Sequence, residues 1–466
     1  MRSAGGRVID CAITDISMLL TRESDSLLYP YAGIPWFSAP FGRDGIITAY
    51  QLLPWAPRVA RGVLEFVLSG LGTKMEAFTD EEPGKVFHEL RRGEMACLRE
   101  IPFIPYFGSV DATPLALILL HEYACWSEDR ASVEHWWPAV ERILAWLDHY
   151  GDVDGDLFLE YARRSAGGLS NQGWKDSHDS VMHANGRLAE APIRLCEVQA
   201  YAYRARLRTA ELADWIGRSE RAESLRHSAL RLRAEFQEKF WDASERFVFL
   251  ALDGTGNPCR VRSSNMGHCL WGGILSDLEA EAVSKILLSD AMFSGHGIRT
   301  LADTEFAYNP MSYHNGSIWP HDNSIIAEGL RRYGRTTELE RLSEGLFSVI
   351  EASEDFRLPE LFCGFRKRAL EPPVPYEVAC KPQAWSAGSI FLLLKALLGI
   401  EKQLTDPHVT LRDPLLPPKT RLLRCSALGV GDSATSFELQ RSTAGIRATR
   451  GPTGQRPVLV SRSSRR

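Results

Sequence analysis

The stretch DATPLALILLHEYACWSEDRASVEHWWPAVERILAWLDHY, residues 111–150, decides the fold. Apolar residues recur at helical spacing over 111–127 and again over 131–148, with only the polar turn from Ser127 to Arg130 between them. Two helices so briefly joined must run antiparallel, as a helical hairpin. The same spacing returns over 7–21, 43–54, 57–70, 192–215, 218–240, 265–275, 277–289, 316–333, 337–352 and 383–399. Ile216 to Arg218 and Tyr333 to Arg335 are further brief turns. The remaining links are long: 22–43, 71–110, 149–191, 241–264, 290–315 and 353–382. Short and long links nearly alternate, so hairpins closing into a ring place the long ones on one face. Links longer than about 15 residues in a compact domain tend to carry function, and several on one face build a pocket.

From residue 402 onward the pattern changes. Short alternating runs, Thr420 to Cys425, Thr435 to Leu439 and Gly445 to Thr449, are punctuated by Gly and Pro. They predict a small β appendage over 402–466 behind an all-α barrel over 1–401, with the polar, basic end Ser461 to Arg466 disordered.

Composition excludes several function classes. Basic residues number 54 against 59 acidic, a net charge of -5, so no basic face is available for nucleic acid. No apolar run reaches the ~18 residues of a membrane span, and no charged start followed by an apolar core marks a leader. The nine cysteines are scattered without a Cys-x-x-Cys pair and read as reduced thiols, which predicts a cytoplasmic protein. Neither a cofactor nor a metal is expected. Phosphate-loop, dinucleotide and serine-nucleophile motifs do not occur. With 12 Trp, 13 Tyr and 20 Phe, many of them beside Gly, Asn and Asp in the long links, flat rings stand where sugar faces could stack.

Four clusters carry chemistry. The first runs from Pro35-Trp36-Phe37 to Gly42-Arg43-Asp44, where a guanidinium and a carboxylate can grip vicinal hydroxyls, or where Asp44 caps a helix. The second is Gly173-Trp174-Lys175-Asp176-Ser177-His178-Asp179, two carboxylates three residues apart beside a tryptophan. Apolar neighbours or a second negative charge raise a carboxyl pKa, as a general acid needs; an Asx turn is the plainer reading. The third, His314-Asn315-Gly316 with Trp319-Pro320-His321, suits hydroxyl recognition better than zinc. In the fourth, Glu360 stands between Pro359 and Leu361, ahead of Gln383-Ala384-Trp385. A carboxylate in apolar company is either paired, for instance with Arg357, or poised to activate water. Asp111 stands where a helix N-cap is expected.

These stretches together, over roughly residues 15–400, resemble bacterial amylo-α-1,6-glucosidase and glycogen-debranching-like proteins. Those sit within the wider set of (α/α)6-barrel glycoside hydrolases that includes trehalase-like and mannosylglycerate-hydrolase-like enzymes. The resemblance implies an (α/α)6 toroid and an inverting exo-acting hydrolase of terminal α-glucosidic linkages. It sets Glu360 at the general-base position and the acid at Asp176 on the debranching pattern or Asp179 on the trehalase-like one. It makes Arg43 and Asp44 holders of the terminal sugar, with Trp36, Trp174, Trp319 and Trp385 as walls; Asp111, Lys175, His314, Asn315 and Gln383 join the substrate-binding set. The partner it implies is an oligosaccharide or a small glucoside, trehalose-like or glycosylglycerate-like, or else a sugar bound without turnover. Relatives often carry a β-rich domain ahead of the barrel. Here the first helical window follows Met1 almost directly, which weighs against a polymer.

Overall fold

The computed structural model describes residues 4–24, 27–369, 371–429, 434–443, 445–451 and 458–461. Its helices are α1 (Ala4–Leu19), α2 (Gly42–Leu52), α3 (Pro57–Ser69), the single turn α4 (Glu94–Cys97), α5 (Ala112–Ser127), α6 (Arg130–His149) and α7 (Cys196–Trp215). There follow α8 (Ser219–Lys239), α9 (Asn265–Gly272), α10 (Asp277–Leu287), α11 (Pro320–Arg332), α12 (Thr336–Ala352) and α13 (Ala384–Leu398).

Contacts between them close a ring. Helix α2 packs on α5, α5 on α7, α7 on α9, α9 on α11, α11 on α13, and α13 returns to α2. Outside each stands a partner: α3 on α2, α6 on α5, α8 on α7, α10 on α9, α12 on α11, and α1 on α13. This is an (α/α)6 toroid. The sequences explain which ring each helix joins. Outer helix α8 buries Ala222, Leu225, Ala229, Leu232 and Phe236, one stripe at alternating spacings of three and four. Inner helix α13, AWSAGSIFLLLKALL, is apolar nearly all round and buried at every position.

Inner helices also approach closely. A β-carbon on Gly329 of α11 would lie 2.7 Å from the Trp271 backbone nitrogen of α9, and one on Gly267 of α9 would lie 2.5 Å from Ile326 of α11. Only glycine allows that contact.

The links sort by face. Five of the six inner helices hand over to their outer partners through a short turn, at 53–56, 128–129, 216–218, 273–276 and 333–335, while α13 takes its outer partner α1 from the other end of the chain. Each inner helix is entered through a long link, at 20–41, 70–111, 150–195, 240–264, 288–319 and 353–383, so one mouth of the ring is roofed by all six. None of the six inner helices has a side chain capping its N-terminus. Outer helix α10, by contrast, carries a full capping box between Ser276 and Glu279. Six uncapped N-terminal ends therefore point their N–H groups toward the roofed mouth, a field that favours negative charge there.

Several expectations need correction. The long links hold short pairings: a hairpin of Leu20–Ser24 with Leu27–Pro30, a pair Trp241–Asp242 with Phe247–Val248, and a three-stranded patch of Arg194–Leu195, Ala251–Leu252 and Pro258–Cys259. Helix α11 begins at Pro320 rather than 316, because Gly316 adopts φ 148 and proline opens the first turn. The tail forms two three-stranded sheets, Leu422–Leu428, Thr435–Ser442 and Gly445–Arg450 in one, Ile400–Lys402, Val409–Arg412 and Val458–Ser461 in the other. Ser461 is thus a strand residue paired with Arg412, not a disordered one; the rest of that expected disorder, 462–466, lies outside the described residues. No helix among the described residues is long and apolar enough to cross a membrane.

Candidate active site

Under the roof lies a cavity of about 200 Å³. It is built around Arg43, on the first turn of α2, which reaches toward the neighbouring α5 and the loop before α7. Its Nη1 donates to both carboxylate oxygens of Asp111 at 3.3 Å and to the Gly173 carbonyl at 3.1 Å. Its Nη2 donates to Asp176 Oδ2 at 2.9 Å. The buried guanidinium therefore ties α2 to the N-terminus of α5 and to the loop before α7.

Across the cavity Glu360 is 2% exposed. Tyr313 Oη donates to its Oε1 at 2.7 Å and the Cys380 N–H to its Oε2 at 2.9 Å. Burial overrides both donors and, with the Asp176 charge adding to it, lifts the Glu360 carboxyl to about 7. Burial likewise lifts Asp176, against the pull of Arg43. Asp44 is lifted to about 7, by burial first, with Asp176 and Glu360 adding repulsion that Arg43 partly offsets. Three carboxyls share one small, poorly solvated space. Arg357, the alternative partner for Glu360, pairs instead with Asp15 at 2.9 Å.

Aromatic rings make the walls. Trp174 stacks face to face with His268 and meets His314, Trp319 and His321 edge on. Trp385 lies flat on His321, ring centres 3.6 Å apart. His314 stacks on Trp319, its Nδ1 held by Ser177 Oγ at 2.9 Å; burial keeps the imidazole well below its usual pKa, hence neutral. The Gln383 amide, oriented to satisfy both its ends, donates to the Ala32 carbonyl and accepts from Trp385 Nε1.

Of the residues singled out from sequence, Arg43, Asp44, Trp174, Asp176, His314, Trp319, Glu360, Gln383 and Trp385 line this cavity. The others do not. Asp179 is half-buried, its backbone carbonyl accepting from Asn315 Nδ2 at 3.0 Å, which also uses up Asn315. Lys175 turns away to donate to the Thr300 carbonyl at 2.6 Å. Asp111 holds the N-cap position of α5 without capping it; its carboxylate is spent on Arg43 and Ser109 behind the wall. Trp36 is 58% exposed and lines an adjoining groove of about 330 Å³, its Nε1 donating to the Val378 carbonyl.

Phe37, named in the first cluster but given no role, lines the cavity too, as do Phe41, His88, Glu89, Arg91, Phe103, Leu169 and Tyr313, which the expected binding set did not include. Tyr313 had a readable signal, since it directly precedes His314. His88 and Arg91 had only their polar character within a long link as a signal, because only the fold brings the second link across to α2.

A six-hairpin toroid with paired buried carboxyls among aromatic walls defines a class, the (α/α)6 glycoside hydrolases. The family model of the mannosylglycerate hydrolase MGH1-like glycoside hydrolase domain matches residues 108–366, more than half of the chain, and the protein belongs to that family. It is a glycoside hydrolase. Among solved structures it is similar to the GH63 mannosylglycerate hydrolase from Thermus thermophilus in complex with Tris, at 14% identity over 83% of this chain and 99% of that one, TM-score 0.62. The same enzyme in complex with glucose matches at 16% identity with the same coverage and a TM-score of 0.61. The GH78 rhamnosidase of Bacillus sp. GL1 matches 99% of this chain and 42% of its own, at 14% identity and TM-score 0.68. No curated protein matches the chain.

Proposed function

We propose that the protein hydrolyses a small glycoside with inversion, the sugar being joined to a short acidic leaving group of the glycosylglycerate type. The cavity carries this reading: about 200 Å³ holds one sugar ring and little more. Its lining includes one cation besides Arg43, Arg91, whose Nε pairs with Glu89 while its terminal nitrogens have no hydrogen-bond partner among the described residues. A carboxylate on the leaving group suits that guanidinium. Mannosylglycerate hydrolases of the same fold, solved with D-glycerate and with glucose, add support.

In this reading Asp176, whose pKa burial raises, donates a proton to the glycosidic oxygen. Glu360 removes a proton from water attacking the opposite face of the anomeric carbon, with the two carboxyls about 6.5–9.5 Å apart to admit that water. Tyr313 and the Cys380 N–H orient Glu360 and stabilise its ionised form. Arg43 and Asp44 take hydroxyls of the bound ring, and Trp174, Trp319 and Trp385 enclose it.

A second reading, release of terminal α-glucose from a longer chain as by an amylo-α-1,6-glucosidase, has one observation in its favour. The Trp36 groove adjoins the cavity and shares Arg91 with it, leaving room for a longer leaving group.

A panel of mannosylglycerate, glucosylglycerate, trehalose, isomaltose and panose separates the two, with released sugar quantified and its anomer read by NMR at early times. A glycosylglycerate is expected to give the highest kcat/KM, by at least tenfold, with the β-anomer appearing first. Release from panose alone favours the second reading; the α-anomer first, or no release from any member, removes the inverting mechanism.

A further inference from the structure

A cavity of about 920 Å³ is at the other mouth of the ring, where α5, α7, α11 and α13 end and the segment 399–405 passes beneath them. Its wall is rich in charge, and nearly every positive group there has a named partner. Arg204 pairs with Glu122 at 3.2 Å and Lys395 with Glu328 at 2.7 Å. Arg208 pairs with Glu211 at 2.7 Å, Arg412 with Glu401 at 2.9 Å and Lys402 with Glu128 at 2.9 Å, while Arg226 pairs with Asp214. Arg331 caps the carbonyls that α13 leaves open, at Ala396 and Leu397, each at 2.6 Å, and reaches Asp413 at 3.1 Å.

Arg332 is the exception. It lines the cavity and is open to it, and among the described residues its guanidinium makes no hydrogen bond, ion pair or ring contact. Its side chain lies over Gly273, where an added β-carbon would stand 3.4 Å from Nη1. Surrounding protein, with the charges of Arg204 and Arg208 beside it, brings its pKa down to about 10, so the site already holds more positive charge than it neutralises. An unpaired guanidinium next to two further arginines is a fork for an oxyanion.

We infer that this far cavity is a second ligand site, separate from the catalytic one, that binds a small oxyanion, a phosphate or carboxylate group, on Arg332. The cavity admits such an anion with room to spare, and its charge suits one. Six of the wall's cations have carboxylate partners and Arg331 is hydrogen-bonded to carbonyls, which leave its charge in place, so Arg332 is the guanidinium free to meet an anion in a wall that keeps net positive charge.

The test uses the full-length protein at low ionic strength. Inorganic phosphate and succinate are titrated separately by calorimetry, with chloride as the control anion. Saturable one-to-one binding of phosphate or succinate, weakened at least tenfold in Arg332→Gln, is expected; whichever anion binds more tightly identifies the group. Phenylglyoxal labelling of the wild-type protein, read by peptide mass spectrometry, gives a second measure that needs no variant. The bound anion is expected to slow modification of Arg332 at least fivefold while sparing the rates of surface arginines such as Arg368. Absence of saturable binding, equal affinity in Arg332→Gln, or unprotected Arg332 overturns the site.

Discussion

At Glu360 the environment does two opposed things. Tyr313 and the Cys380 N–H donate to it, yet burial still sets its carboxyl near 7, well above the usual 4.5. Between those values the folded chain keeps a proton that the unfolded chain has released, so this group's contribution to stability falls as pH rises through about 4.5 to 7. Glu360→Gln cannot titrate. Measured by urea unfolding at pH 4.5 and pH 8, wild type should lose roughly 2–3 kcal/mol more than Glu360→Gln over that interval; parallel losses would remove the raised pKa. The proposed roles predict kcat lower by about 10²–10⁴ in Glu360→Gln and in Asp176→Asn, and within a few-fold of wild type in Asp179→Asn. An Asp179→Asn enzyme as impaired as Asp176→Asn would reassign the acid. Arg43→Leu leaves Asp111 fully buried with its charge unmatched, a change worth about 3–5 kcal/mol, visible as a large drop in Tm.

Residue types and spacing pointed to links that meet at the cavity, but not to which side of each faces it. Asp176 and Asp179 differ by three positions in one loop, and only the turn after Asp176 decides that the first faces Arg43 while the second contributes just its carbonyl. Lys175 and Asn315 carry plausible sugar-binding groups, but backbone carbonyls claim them. Burial of this kind depends on contacts across the ring, which no local pattern encodes.

Among the elements, the twelve helices other than the single turn α4 were legible because 3.6-residue periodicity, over ten or more positions in all but the eight-residue α9, is a strong signal. Strands of two residues, such as Arg194–Leu195, are too short to show a period of two, so the pairing that ties the third link to the fourth was invisible. Close approach between inner helices was equally hidden, since it shows only as isolated glycines. Gly329→Ala should cost about 1–3 kcal/mol, because its methyl meets the α9 backbone, which cannot step aside as a side chain could. Gly93→Ala, where nothing lies within 4 Å, serves as the neutral comparison in the same Tm measurement.

On the scale of the whole molecule, barrel and tail share one apolar interior. Leu428, Phe437 and Leu439 of the tail belong to the same buried cluster as the helices, and the Gly429 N–H donates to the Pro54 carbonyl beside α2. Far-UV circular dichroism and tryptophan fluorescence should therefore report one coincident urea transition; two separated transitions would show that the tail unfolds independently.

Helix α1 completes the ring by packing on α13, while Glu360 and Trp385 arrive with the last of the six long links. During synthesis α1 precedes every other helix of the ring and waits for α13, which follows them all. Until then five hairpins stand as an open arc whose two flanks lack the neighbours that cover them in the closed ring. Released enzyme and working enzyme should consequently appear together, with no partially translated chain able to turn over sugar.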